Sequence, residues 1–507
     1  MDWIDAQCRV HRTIGPGVAE RQWLIHRGNQ SPDENAVSSR IFIDQSMARP
    51  LLFQRTMSPR TARLARDSMF VAIVSCVATA CVGFIADPNR APDDDGAQRL
   101  RDGGIIESRG DSGHATTDGA ASPHDASSDV ATVNPDAGTD PTMQPQSAPP
   151  VLVPTGAYPT IPNQGGRVLA HPALVTITFS DDTTRAPTLQ AFDRWMVTSS
   201  WLTTVGAEYG IGAGSIVADV ALSDRAPDAT TDDEIGQSLV DRINRGVLPR
   251  PTADTLYMMF FPAHTTITFS DGSTTSVSCT DFGAYHSEIH QGGLDLAYSV
   301  MPQCPGAGGG AWSIDDDSIS ASHEFIEAAT DPFPGTAPTF ALTEGTDLAS
   351  LSSTSPWLAL GGEVGDLCAA AVYSYREGGF IPTRVWSNIA ARTGGDPCIP
   401  HVAGSPFFTT GPASDSVHVA NPGDHISIAI QGYGDANVPR WQLATQIDSD
   451  FAPTVTLSAT TLGPGESATV TIEVPTDAPS QSTAKIYLQS SHSDADIAVW
   501  PILIYVP

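Results

Sequence analysis

The segment SISASHEFIEAATDPFPG, Ser318 to Gly335, combines a helical run of small and apolar residues with three ionisable side chains, His323, Glu324 and Glu327. A buried charge costs several kcal/mol unless it is paired or bound to a metal. Whatever this chain folds into must set partners or a cation beside that helix. Asp315, Asp316 and Asp317 stand where acidic groups complement a helix N-terminus, and Pro332 ends the run. Ile319, Ile326 and Ala329 form one core stripe. His323 and Glu327 are four apart and share a face, while Glu324 lies about 100° round the helix.

In the H-E-x-x-H zinc helix the two His hold the metal and the Glu is the general base. Here Glu327 takes the place of the second His, so His323 and Glu327 are candidate ligands and Glu324 the candidate base. A carboxylate is an acceptable ligand, since Asp and Glu oxygens bind zinc at about 2.0 to 2.2 Å. It also lowers the effective charge on the ion, so Zn²⁺ is expected with Ca²⁺ or Mn²⁺ as alternatives. A third ligand is expected from GGEVGDLC, where Glu363 and Asp366 are the only carboxylates. Glu363 is favoured, with Asp366 as an alternative ligand or a supporting group. An Asp at a helix C-terminus opposes the macrodipole, so Asp331 is expected to be held by a bond to His323. His286, in GAYHSEIH, is placed on a loop before the helix as a further ligand or substrate-binding group.

Upstream, strand and helix patterns alternate. ALVTITFS, SIVADVALS, DTLYMMFFP and GLDLAYSVMP read as strands, and TLQAFDRWMVTSSWLTTVGAEYG and TDDEIGQSLVDRINRGVL as helices. TTITFSDGSTTSVSC is a hairpin pattern around Asp271 and Gly272. Cys279, Cys304, Cys368 and Cys398 form an even set that reads as two disulfides. Three connectivities are open, of which 279–304 with 368–398 is favoured because each pair brackets a loop-rich stretch.

The motifs SHEFIEAATDPF and EVGDLC, preceded by CTDFGAYHS and AYSVMPQCP, resemble those of the phosphate-induced protein, or exordium-like, family and its secreted bacterial relatives. The resemblance spans about residues 165–400. It implies an extracellular, wall-associated protein with a zincin-like mixed sheet and active-site helix, and with His323, Glu324, Glu327, Glu363 and Asp366 at motif positions. The family's usual chain lacks the flanking regions found here.

Those regions have their own signatures. MSPRTARLARDSMFVAIVSCVATACVGF, from Met57, runs from arginines into about a dozen apolar residues and then small residues before Cys81. This is the layout of an export signal, too short to span a bilayer. Residues 57–81 are read as a signal peptide with a lipobox, lipidated at Cys81, or as a plain secretory signal. Residues 1–56 are an extension upstream of the expected start, and 82–150 an acidic Pro/Ser/Asp/Ala tether with little to bury. Residues 151–403 are expected to form the zincin-like domain. From 404 to 507, short alternating strands with Pro-Gly turns predict an immunoglobulin-like β-sandwich used as an accessory module. The fold class is therefore α+β followed by all-β.

With a net charge of -31 the chain lacks the basic surface that nucleic acid requires. The sequence reads as an exported metal-dependent hydrolase, a peptidase expected to act on an extracellular peptide or cell-wall substrate, secreted or held at a bacterial cell envelope and touching membrane only through a lipid anchor. The competing reading is a non-catalytic extracellular interaction protein with a structural metal or an ion-pair site. The sequence leaves the oligomeric state open.

Overall fold

The computed structural model describes residues 149–270, 275–305, 312–343, 354–371, 373–493 and 496–507. The extension, the signal and lipobox with Cys81, and all but the last two residues of the tether lie outside them, as does the Asp271-Gly272 turn. The described chain is a mixed α+β fold dominated by strands.

In chain order its elements begin with β1 (Ala173–Thr178), α1 (Ala186–Met196), α2 (Ser200–Gly206), β2 (Ser215–Ala221), β3 (Ala229–Thr231) and α3 (Asp232–Asn244). There follow β4 (Thr255–Phe261), β5 (Thr266–Ser270), β6 (Thr275–Val277), β7 (Tyr285–Gln291), β8 (Leu294–Pro302) and α4 (Ile314–Thr330). The single helical pattern expected after β1 is two helices, because Ser199 caps a new start by accepting from the Leu202 N–H. α3 begins with a reciprocal capping box between Thr231 and Glu234.

Five of these strands form one sheet in the order β2-β1-β4-β8-β7. β2, β1, β4 and β8 are parallel, and β7 pairs antiparallel with β8 at the edge. β4, TLYMMFF, is buried throughout, as a central parallel strand covered on both faces must be. α3 covers one side, where Ile235, Leu239 and Ile243 meet Tyr257, Met259 and Leu296. α1 and α4 cover the other, with Phe192, Met196, Phe325 and Ile326 against Leu256, Met258 and Phe260. Ile326 and Ala329 are fully buried, whereas Ile319 is only partly so. β5 and β6 pair as the expected hairpin, with β3 beside β5.

The N-terminal end of α4 is fixed by charge. Arg185, itself buried, reaches Asp182 at 2.8 Å and Asp317 at 3.3 Å, and its guanidinium also donates to the Phe261 carbonyl. Ser313 and Asp316 form the capping box.

Beyond α4 come 3-10 turns at Pro356–Leu360 and Asp366–Cys368, then β9 (Val385–Trp386), α5 (Asn388–Thr393) and β10 (Cys398–Ile399). Disulfides join Cys279 to Cys304 and Cys368 to Cys398. The remaining strands are β11 (Phe408–Gly411), β12 (His418–Val419), β13 (His425–Gly434), β14 (Trp441–Ser449), β15 (Thr454–Leu457), β16 (Thr461–Leu462), β17 (Ser467–Glu473), β18 (Ser482–Ser493) and β19 (Asp496–Val506). They form two sheets, β11-β13-β17-β15 and β12-β19-β18-β14-β16. Alternating burial along β17, with Ala468, Val470 and Ile472 inward, is the period-two pattern of a sheet with one face on a core. Thr410 links the sheets by accepting from Trp441 Nε1 and the Ser490 hydroxyl. One continuous cluster of buried side chains runs from α1 and α4 through Trp357 and Trp386 into both of these sheets.

Candidate metal centre

α4 delivers His323, Glu324 and Glu327 to the same region because the helix is pinned at both ends. Its last turn closes with the Asp331 N–H donating to the Glu327 carbonyl. His323 Nε2 lies 3.1 Å from Glu327 Oε1 and 3.4 Å from Asp366 Oδ1. These three side chains form one group of mutually close ligand atoms. His286 Nδ1, Glu324 and Glu327 form a second, sharing Glu327.

Asp366 reaches the helix because its loop is tightly folded. Its carboxylate accepts from the Gly362 and Glu363 N–H groups at 2.9 and 3.3 Å, and its own N–H donates to Glu327 Oε1 at 3.0 Å. Two glycines permit this. Gly361 has φ of 125°, in the region that favours glycine, and a Cβ there would strike the Asp366 carboxylate. A Cβ on Gly365 would sit 2.8 Å from Glu327 Oε1 and 2.9 Å from His323 Nδ1. The backbone of Gly365 therefore lies directly against the candidate ligands.

Of the two carboxylates considered for the third ligand, the structure brings Asp366 to His323 and Glu327. Glu363, the favoured one, faces the other imidazole, 3.6 Å from His286 Nε2. His286 is on strand β7, not on a loop: the antiparallel edge strand presents it, 3 % exposed, with Nδ1 3.4 Å from Glu324 Oε2 and 3.8 Å from Glu327 Oε2. The sequence YHSEIHQ hides this strand because polar residues occupy positions that burial makes internal, among them Ser287 and Glu288. Asp331 does not bond to His323. Eight residues later on a helix it is about 12 Å further along the axis, and its Oδ1 accepts from the Thr339 N–H at 2.9 Å.

The electrostatics follow from four buried carboxylates around two imidazoles. Burial pushes the Glu363 carboxyl well above its ordinary value, and the charges of Glu327, Asp331 and Asp366 push it further. Burial and the neighbouring Glu327 charge also raise Asp366. Burial raises Glu324, outweighing the hydrogen bond to His286 and the charge of His323. Glu327 is instead held low: burial would raise it, but the His323 charge and hydrogen bond prevail. His323 is raised well above its usual value, since Glu327 and Asp366 outweigh the effect of burial. Burial likewise fails to lower His286, which Glu324 and Glu327 raise. Among the described residues, neither the buried His286 Nε2 nor the buried Glu363 Oε1 has a hydrogen-bond partner. With all four carboxyls ionised the cluster would hold more negative charge than its two imidazoles balance, and burial with that crowding favours retained protons on Glu363, Asp366 and Glu324.

No family model matches the chain, and no curated protein does. Among solved structures, domains 4 and 5 of the S-layer protein SbsC align at 17% identity and a TM-score of 0.15, over 20% of this chain and 53% of that one. The secreted serine protease VesC from Vibrio cholerae aligns at 17% identity and 0.16, over 20% of this chain and 23% of its own. A nucleoside hydrolase-related hypothetical protein from Saccharophagus degradans, associated with carbohydrate metabolism, aligns at 11% identity and 0.22, over 66% of this chain and 100% of its own. The chain thus spans about half of the S-layer fragment and about a quarter of the protease.

Proposed function

We propose that this chain is an exported metal-dependent hydrolase, of peptidase type, built on a zincin-like sheet and helix. The observation that carries the reading is the spacing of three ligand atoms. Two ligands about 2.1 Å from one tetrahedral ion lie about 3.4 Å apart. His323 Nε2 stands 3.1 Å from Glu327 Oε1 and 3.4 Å from Asp366 Oδ1. The donor set fits zinc, with calcium or manganese as alternatives where carboxylates outnumber imidazoles. The mixed sheet with an antiparallel edge strand beside the helix supports the zincin-like part, and the two packed C-terminal sheets support the immunoglobulin-like part. The two disulfides are compatible with export.

A bound dication would supply Lewis acidity toward a carbonyl and toward water. His323, Glu327 and Asp366 would hold it. Glu324 stands one residue beyond His323 on the helix, buried and with its carboxyl raised by that burial, in position to serve as the general base. His286 orients Glu324 through Nδ1, and Glu363 faces the other nitrogen of the same ring.

Glu324→Gln tests this assignment. It keeps the shape and removes the base, so peptide hydrolysis by the full chain should fall at least a hundredfold while metal content stays at the wild-type value. Unchanged hydrolysis would remove Glu324 from the mechanism. A folded, metal-loaded wild type without hydrolytic activity on any peptide or wall substrate would favour the non-catalytic interaction protein instead.

A further inference from the structure

The two C-terminal sheets do not hang from the metal-site region as an independent module. The loop that brings Glu363 and Asp366 to α4 is suspended from them. Tyr487, on β18, donates its hydroxyl to the Ala359 carbonyl at 2.9 Å, inside the core. Ala359 belongs to the 3-10 turn Pro356–Leu360, which packs on β19 and runs straight into Gly361 and the site loop. Trp357 in that turn meets Trp500 of β19 edge-on, with ring centroids 5.2 Å apart. Ser355, which caps the turn by accepting from the Trp357 N–H, donates its hydroxyl to Asp415 between β11 and β12 at 2.8 Å.

The far side of the loop is held by the other half of the molecule. The Trp386 N–H donates to the Val364 carbonyl at 2.8 Å, the Leu342 N–H donates to Gly362 at 2.7 Å, and Cys368 is bonded to Cys398. Tyr158 stacks on Trp500 at 5.1 Å while meeting Trp386 edge-on at 5.4 Å, so one aromatic cluster bridges both supports. A loop presenting two carboxylates to one cluster must be held rigidly, because backbone freedom there spreads the ligand atoms and weakens cation binding.

From this we infer that Tyr487 is a positioning residue of the metal centre, and that the C-terminal sheets act as a clamp that sets Asp366 against His323 and Glu327. This rests on the metal-site reading above. It also makes a claim about the loop that is independent of any cation.

Full-length wild type, Tyr487→Phe and a control, Ile472→Val, separate these. Ile472 is buried on β17 and contributes to the same sheets without touching the 3-10 turn through any described bond. Two readouts apply: amide hydrogen exchange of residues 356–368 without added metal, and zinc affinity by competition with a chelator. Tyr487→Phe should speed exchange in that segment and weaken zinc about fivefold, the size expected for one lost hydrogen bond. Ile472→Val should lower the melting temperature and leave both readouts at wild-type values. The inference is overturned if Tyr487→Phe leaves the segment's exchange unchanged, or if Ile472→Val shifts exchange and affinity as much as Tyr487→Phe does. Should the wild type bind no zinc, the metal reading fails by itself, and the exchange comparison still decides whether the clamp exists.

Discussion

Gly365 shows how little room the centre leaves. The position carries no side chain, yet an added methyl would lie within 3 Å of both Glu327 and His323. Gly365→Ala should therefore displace the Asp366 loop and lower zinc affinity at least tenfold, with a smaller loss of thermal stability; isothermal titration and melting curves check the two effects. Asp193 makes a prediction away from the centre. It is fully buried on α1, its carboxyl accepts from the Thr176 hydroxyl at 2.6 Å, and burial together with the charge of Asp219 raises that carboxyl to about 7. The folded chain then holds this proton more tightly than the unfolded chain, so stability is full below about pH 4 and is lost as pH rises through about 7. Asp193→Asn should melt higher than wild type at pH 8, with the difference closing or reversing by pH 5. A wild-type melting temperature that does not fall relative to the variant between those pH values would contradict the assignment. At this scale the shared face of His323 and Glu327 is legible from helix periodicity, whereas the grouping of Glu324 with Glu327 depends on His286 from the edge strand. Choosing between Glu363 and Asp366 was not, since it depends on a glycine turn with positive φ and a hydrogen bond to Glu327, neither of which leaves a periodic trace.

Among the elements, those with strong patterns were readable and the edge strand was not. β1, β2, β4 and β8 are apolar or alternating, and α3 announces itself with Thr231, three acidic residues in its first turn and apolar positions at helical spacing. β7 carries two His, a Ser and a Glu among its seven residues and reads as a polar loop until its pairing with β8 buries it. Its polar character has a use, because this strand presents His286 to Glu324 and Glu327. The 3-10 turn Asp366–Cys368 is an element too short to hold itself, and the Cys368–Cys398 bond anchors its end. Replacing both cysteines by Ser should cost about 3 to 4 kcal/mol by release of the closed loop. The loss should be accompanied by weaker metal binding, because the freed segment adjoins Asp366. Denaturant titration and chelator competition on the same protein would separate the double variant's two effects; unaltered metal affinity would show that the turn is held without the bridge.

For the molecule as a whole, the α+β part followed by paired sheets was legible from the change in hydrophobic period after about residue 404. The continuity between them was not, since the contacts that create it join residues far apart in sequence: Tyr158 with Trp500, Tyr487 with Ala359, Ser355 with Asp415. Each looks like an ordinary core or turn residue in its local context. The same holds for charge. A net charge of -31 describes the chain, but the decisive crowding of ionisable groups is local, where the buried Glu324, Glu327, Glu363 and Asp366 gather around buried His286 and partly buried His323. Burial raises the Glu363 carboxyl, and proton uptake there relieves part of it; a dication held by His323, Glu327 and Asp366, as proposed, would relieve more. The most direct test is the metal content of the purified full-length chain, loaded with zinc and desalted, measured by plasma mass spectrometry beside His323→Ala. The account predicts close to one equivalent of zinc in the wild type and little in the variant. No retained metal in either protein would contradict it and leave the cluster as a buried ion-pair network.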